Sequence, residues 1–268
     1  MEKAAINLPA VQSHSNGLPL YFLTGKNYLY QTLFCIQSLN KCSSEHFKFI
    51  LVDDGTFSPE IISQIKRQLP GAEIIIAGII EKNLEAVLPK DKFPVLHHKR
   101  SEYPHIKKLT DVHTIPGNSW KIVLDSDMMF WDNPDELIAW LKHPDKPVHM
   151  VDCEESYGYP HKLMEQLAGA IVASKLNVGI IGLESDVIDW QMLENWIIKL
   201  ETTGGKSYYL EQALSTMLVA GCDCLVLNKD KYIVNPGNDT ILNAHGTLHH
   251  YVDLSKKGYY TKAWRKVI

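Results

Sequence analysis

Short apolar runs alternate with stretches of helical periodicity from Leu20 onward, and this alternation leaves few architectures open to the chain. The run "LYFLT" leads into "NYLYQTLFCIQSLN", where Leu29, Leu33, Ile36 and Asn40 recur at helical spacing. "FKFILVDDG" is a second apolar run. Ser58-Pro59-Glu60 then has the cap-then-proline order of a helix start, ahead of "EIISQIKRQL", and Pro70-Gly71 turns the chain into a third run, "AEIIIAG". A β-α-β-α-β order predicts an α/β fold with a mostly parallel central sheet flanked by helices.

Residues 90–118 are richer in polar residues, prolines and histidines, and read as an excursion before the next strand. Asn133-Pro134-Asp135 after that strand has helix-capping chemistry, followed by the buried stripe Leu137, Ile138, Trp140 and Leu141. Further on come "PVHMVD", "NVGIIGLES", a helix expected from about Val187 to Leu200, "YYLEQALSTMLVAG" and "CLVL". No repeat or linker divides the 268 residues, so a single domain is expected over 1–268, with a flexible segment over 1–17.

The strand in "KIVLDSDMMFWDNP" ends its apolar part, Ile122-Val123-Leu124, on Asp125 and Asp127. Ligands of open α/β sheets gather at the carboxyl ends of strands. Two aspartates placed there, with the small Ser126 between them, can share one hard divalent cation. Such an ion suits a diphosphate, whose growing leaving-group charge it neutralises. A plainer reading competes, in which the acids only open a loop. Asp53-Asp54-Gly55 closes the second run in the same way, and there a contact to a base or ribose competes with a common strand-exit turn.

Composition narrows the partners. Lys and Arg total 27 against 31 Asp and Glu, a formal charge of −4 with no basic run, which disfavours nucleic acid. The start lacks the basic-then-apolar order of a secretory signal and no apolar stretch approaches the ~20 residues of a membrane span, so a cytoplasmic protein without a transmembrane segment is expected. Cys35, Cys42, Cys153, Cys222 and Cys224 lack paired zinc spacing and read as reduced, mostly buried thiols. Near the end, His245, His249 and His250 precede Lys256, Lys257, Lys262 and Arg265. A histidine followed by lysines can fold over a site as a nitrogen ligand and a phosphate clamp.

Taken together, these blocks resemble the GT-A (nucleotide-diphospho-sugar transferase) fold, and within it the retaining, metal-dependent glycosyltransferase family 8 type. "YFLTGKNYLYQTLFCIQSL" resembles that family's first strand, Asn-Tyr loop and helix, and "KIVLDSDMMFWDNP" its Asp-x-Asp strand. "NVGIIGLES" resembles its Asn-x-Gly strand and "YYLEQALSTML" its Glu/Asp-Gln helix start. The likeness runs from roughly Leu20 to Lys256.

The resemblance implies a glycosyltransferase using a nucleotide-diphosphate sugar, a UDP-sugar foremost, with Mn2+ or Mg2+ and an unidentified acceptor. Asp125, Asp127 and His250 would hold the metal. Thr24, Asn27 and Asp53 would line the nucleoside pocket, with Lys108, Ser126, Asn177, Gly179 and Lys256 as further donor contacts. Glu211 and Gln212 would lie at the reacting face of the sugar. The family's tail pattern, His-x-x-Gly-x-x-Lys-Pro-Trp, meets its His-to-Lys spacing only with His250 and Lys256, since Tyr251 and Ser255 stand where His245 and His249 would need lysine. Asp253 replaces its glycine, Lys257-Gly258 its Pro-Trp, and Thr24-Gly25-Lys26 stands where acidic residues are frequent. The tail, residues 245–268, is expected to close over the donor site and to stay mobile until metal and nucleotide bind. Two alternatives remain at the level of sequence. One is a phosphohydrolase with Asp125 as nucleophile and Asp127 as general acid, although three strand-like runs precede them. The other is a catalytically silent nucleotide-sugar-binding protein.

Overall fold

The computed structural model describes every residue from Met1 to Ile268. Its strands are, in chain order, β1 (Leu18–Thr24), β2 (Phe47–Asp53), β3 (Glu73–Ile75), β4 (Trp120–Leu124), β5 (Met128–Phe130), β6 (Val148–Val151), β7 (Leu176–Glu184), β8 (Leu225–Val226), β9 (Tyr232–Val234) and β10 (Leu248–His250). Seven of them form the central sheet in the order β3-β2-β1-β4-β7-β6-β8. Only β7 runs against its neighbours, antiparallel to β4 and β6, so the sheet is mostly parallel, as expected from the alternating sequence. A small sheet, β5-β10-β9, completes the strands.

Period-two alternation splits the core between the two faces of the sheet. Leu20 and Phe22 of β1, Phe49 and Leu51 of β2, and Ile122 and Leu124 of β4 pack into one apolar layer. Tyr21, Ile50, Val52 and Val123 enter the other, together with Leu193, Trp196 and Leu200 of the Trp190–Gly204 helix. Because β1, β2, β4 and β6 point the same way, the residues at their carboxyl ends meet at one edge. Those residues are Thr24, Asp53, Asp125 and Asp152.

Several elements differ from the sequence expectation. Residues 90–118 are mostly helical, over Pro94–Glu102 and Lys107–His113. The Trp190–Gly204 helix ties them down: Glu194 accepts the backbone N–H groups of Val95 and Leu96 at 2.8 Å each, and Glu201 pairs with Lys99 at 2.8 Å. "AEIIIAG" gives only the three-residue β3, because a helix takes over at Ala77. The helix expected from Val187 starts at Trp190, where Asp189 caps it by accepting the Met192 N–H at 2.9 Å. The Ser58 cap forms as expected, accepting the Ile61 N–H.

Residues 1–17, expected to be flexible, are packed down: Ala5, Leu8 and Val11 are buried, and Val11 donates its N–H to Gln68 O at 2.9 Å. The tail is likewise integral rather than loose. β10 is the middle strand of its sheet, Tyr259 lies 4.7 Å from Tyr251 between ring centroids, and Trp264 meets Phe34 edge-on. The cysteines are all unpaired as expected, yet only Cys35 is buried, since Cys42 and Cys224 are half-buried and Cys153 and Cys222 lie in exposed loops.

Candidate metal centre

Asp125 and Asp127 leave β4 where its pairing with β7 ends, and the Asp125 N–H is held by Gly179 O at 2.8 Å. The chain then turns back as β5, against which β10 lays the tail antiparallel, setting His250 opposite Met128. His250 Nε2 thereby lies 3.6 Å from Asp125 Oδ2 and 3.4 Å from Asp127 Oδ1. One ligand atom from each of the three residues lies within 4.8 Å of the others. Two carboxylates and an imidazole converging in this way fit a single divalent cation.

Adjacent strand positions separate the tail histidines. His249 points to the opposite face, fully buried, with Nδ1 3.1 Å from Tyr251 Oη and Nε2 2.6 Å from His245 O. Burial pushes its pKa down to about 4, so it is a neutral core residue. His245 is exposed. Only His250 reaches the aspartates.

Two lysines flank the acids. Lys108, nearly fully buried, donates to Asp125 Oδ1 at 2.8 Å and lies 3.3 Å from Glu211 Oε2. Burial alone would lower the Lys108 pKa, but Asp125 and Glu211 outweigh it and hold the amine charged. Lys256 is half-exposed, with Nζ 3.8 Å from Asp127 Oδ2. Burial would raise the pKa of Asp127, yet His250 and Lys256 outweigh it and hold the carboxyl below its ordinary value.

The remaining expected residues divide by exposure. Thr24 is completely buried, and its hydroxyl joins a chain through Thr32 to Ser126 with steps of 2.8 Å. The side chains of Thr24 and Ser126 therefore brace the Asp-x-Asp turn from below instead of facing a donor. Asp53 Oδ1 accepts the N–H groups of Gly55, Thr56 and Phe57, which makes this oxygen the cap of a strand-exit turn. Asn27 is exposed in the loop after β1. Glu211, expected at the reacting face, is instead buried beneath Lys108. Its Oε1 accepts from Ser215 at 3.2 Å, and burial, only partly opposed by Lys108, pushes its pKa up to about 7. Gln212 spends Nε2 on Asp152 at 3.2 Å and Ser156 O at 2.9 Å, leaving Oε1 for a ligand. Asn177 Oδ1 lies 3.1 Å from His250 Nδ1, and Gly179 faces the same ring.

Asp152, Thr32 and Tyr103 belong to the site and were not singled out from sequence. Asp152 ends "PVHMVD" just as Asp125 ends its own run, so the strand-end carboxylate pattern was available for it. Thr32 carries no such signal, being one helical threonine among many. Tyr103 receives the Glu211 N–H at 3.4 Å and donates to Tyr208 O at 2.5 Å, and it shares an aromatic rim with His105 and Tyr208. Two clefts of about 410 and 400 Å³ flank Trp120 at the opposite end of β4, and neither touches these residues.

No family profile matches the sequence. No curated protein matches it either. Solved structures do. Mouse xyloside xylosyltransferase 1 in its apo form is 15% identical with a TM-score of 0.54, over 90% of this chain and 97% of that one. Galactosyltransferase LgtC in complex with donor and acceptor sugar analogues is 13% identical with a TM-score of 0.55, over 93% and 100% of the two chains. Glycosyltransferase GlyE of Streptococcus pneumoniae TIGR4, in its apo form, is 14% identical with a TM-score of 0.56, over 94% of this chain and 62% of that one. At such identities the likeness speaks for architecture, and with the sheet order and flanking helices described above it gives this chain the GT-A fold.

Proposed function

We propose that this chain is a metal-dependent glycosyltransferase that moves a sugar from a nucleotide-diphosphate donor, a UDP-sugar, to an acceptor hydroxyl with retention of configuration. The observation that carries the reading is the convergence of Asp125, Asp127 and His250 at the carboxyl edge of a GT-A sheet, with Lys108 and Lys256 alongside. The neighbours of this fold are transferases by name, and LgtC was crystallised with donor and acceptor sugar analogues, which supports the same substrate class here.

A divalent cation on Asp125, Asp127 and His250 supplies Lewis-acid neutralisation of the diphosphate leaving group. The protein's own groups do the rest. Lys256, half-exposed beside Asp127, offers an ammonium to the diphosphate oxygens. Lys108, pinned between Asp125 and Glu211, holds a fixed positive charge at the strand edge, a preorganised contact of the kind that stabilises developing charge. Gln212 offers Oε1 toward the sugar while Asp152 and Ser156 fix its other end. An active-site variant of LgtC that replaces a glutamine by glutamate has been solved, in keeping with a glutamine at such a site. The location expected from sequence is the cytoplasm, and no helix is long and apolar enough to cross a membrane.

Calorimetric titration of UDP, GDP, CDP and ADP with and without Mn2+ tests this reading. Binding of UDP that strengthens with Mn2+ is expected. Equal affinity in the presence of a chelator would contradict it.

A further inference from the structure

We infer that Asn177 and Gly179 are the seat of the metal-site histidine rather than contacts of the donor: Asn177 positions His250, and Asp152 positions Asn177. The inference rests on the metal reading of Asp125, Asp127 and His250, and concerns what prepares that site.

The direction of each hydrogen bond follows from its partners. The Gly179 N–H can only donate, so the Asn177 atom 2.9 Å from it is the amide oxygen. The Asp152 carboxylate can only accept, so the Asn177 atom 2.9 Å from its Oδ2 is the amide nitrogen. Both anchors agree, and the amide cannot flip. His250 Nδ1, 3.1 Å from that same amide oxygen, must then carry the proton it donates. In the neutral ring the lone pair therefore sits on Nε2, the nitrogen that faces Asp125 and Asp127. An acceptor on the far nitrogen is what orients a metal-binding imidazole and raises its basicity.

Gly179 supplies the space. A Cβ at this position would lie 2.4 Å from His250 Nδ1 and 2.5 Å from Met128 Cε, so any side chain there would push the ring off the aspartates. Asn177 is only 4% exposed, and both lone pairs of its oxygen are taken by Gly179 and His250. It has no acceptor left for a sugar hydroxyl. Asp152 Oδ2 also accepts from Gln212, so one carboxylate oxygen sets both the histidine's support and the glutamine. The spacing Asn-x-Gly on β7 is thus explained by the histidine it holds.

The test reads the ring tautomer and the affinity for Mn2+ alone, with sugar transfer as a control. Long-range proton–nitrogen NMR of the metal-free protein at alkaline pH, with His250 assigned through His250→Gln, should show the ring protonated on Nδ1. Asn177→Ala should lose that preference and bind Mn2+ alone about 10- to 100-fold more weakly, the usual effect of removing such an outer partner. Gly179→Ala should weaken Mn2+ similarly, with circular dichroism confirming that each variant is folded. Asp152→Asn combined with Asn177→Asp rebuilds their bond in the reverse direction and should recover more Mn2+ affinity than either change alone. A wild-type ring protonated on Nε2, or wild-type Mn2+ affinity in Asn177→Ala, would overturn the inference. Loss of sugar transfer with Mn2+ affinity and tautomer intact would also overturn it, assigning Asn177 to the donor. Wild-type protein that binds Mn2+ but transfers no sugar would count against the proposed function alone.

Discussion

Asp125 and Asp127 follow an apolar strand instead of interrupting it, so their removal should spare the fold. Asp125→Ala or Asp127→Ala is expected to lower metal-dependent turnover by at least ~10²–10³, the usual loss from removing one preorganised electrostatic contact. Steady-state rates at saturating Mn2+ check this, and near-normal activity would sink the metal assignment. His249 makes the opposite prediction. Its pKa is about 4 in the fold against an ordinary 6.5, so as pH falls the unfolded chain takes up the proton first. The stability it contributes is complete above pH 6.5 and is lost as pH falls toward about 4, on the order of 3 kcal/mol at ~1.4 kcal/mol per unit. His249→Phe should flatten the fall of Tm across that window. An unchanged slope would show that His249 does not titrate between the two states.

At the scale of elements, the tail matters most. β10 is held on both sides: Tyr251 donates its N–H to Asp127 O at 2.9 Å, and the Asn235 N–H reaches His250 O at 3.0 Å. A slip of one residue in its register with β5 would exchange His249 for His250 at the aspartates. Hydrogen exchange of the metal-free protein should therefore find the Leu248–His250 amides protected about as well as those of β5. Exchange as fast as an exposed loop would return the tail to a segment that stays mobile until metal and nucleotide bind. Tyr259, Ala263 and Val267 recur at helical spacing and are buried, a packing signal that the lysines and Arg265 between them obscure in the sequence. Residues 90–118 were legible as an excursion before β4, but their packing was not. The charges of Lys99, Arg100 and Asp111 look solvent-facing in a sequence, yet Arg100 pairs with Asp111 and Lys99 with Glu201 on the distant Trp190–Gly204 helix.

For the molecule as a whole, the sheet was legible because β1, β2 and β4 are continuous apolar runs, and the metal cluster because its acids end one of them. His250 was picked out only through the resemblance, by the His-to-Lys spacing of that family's tail pattern. Depth was not legible: nothing in "YYLEQ" says that Glu211 is buried beneath Lys108 while Gln212 keeps an oxygen free, nor that Thr24 lies below the site instead of lining it. Stereochemistry is predicted by the sequence resemblance to retaining enzymes and not by the fold: an α-linked donor should give an α-linked product by proton NMR. An inverted anomer would move the chain to another GT-A class and remove the role proposed for Gln212. The central claim, a metal-dependent sugar transferase centred on Asp125, Asp127 and His250, is tested most directly without any acceptor. A panel of nucleotide sugars is incubated with wild type and Asp127→Ala, with Mn2+ or with EDTA, and the release of nucleoside diphosphate is followed. Release from a UDP-sugar by wild type with Mn2+, abolished by EDTA and by the substitution, is the predicted result; release that persists in EDTA, or none from any donor, would contradict it.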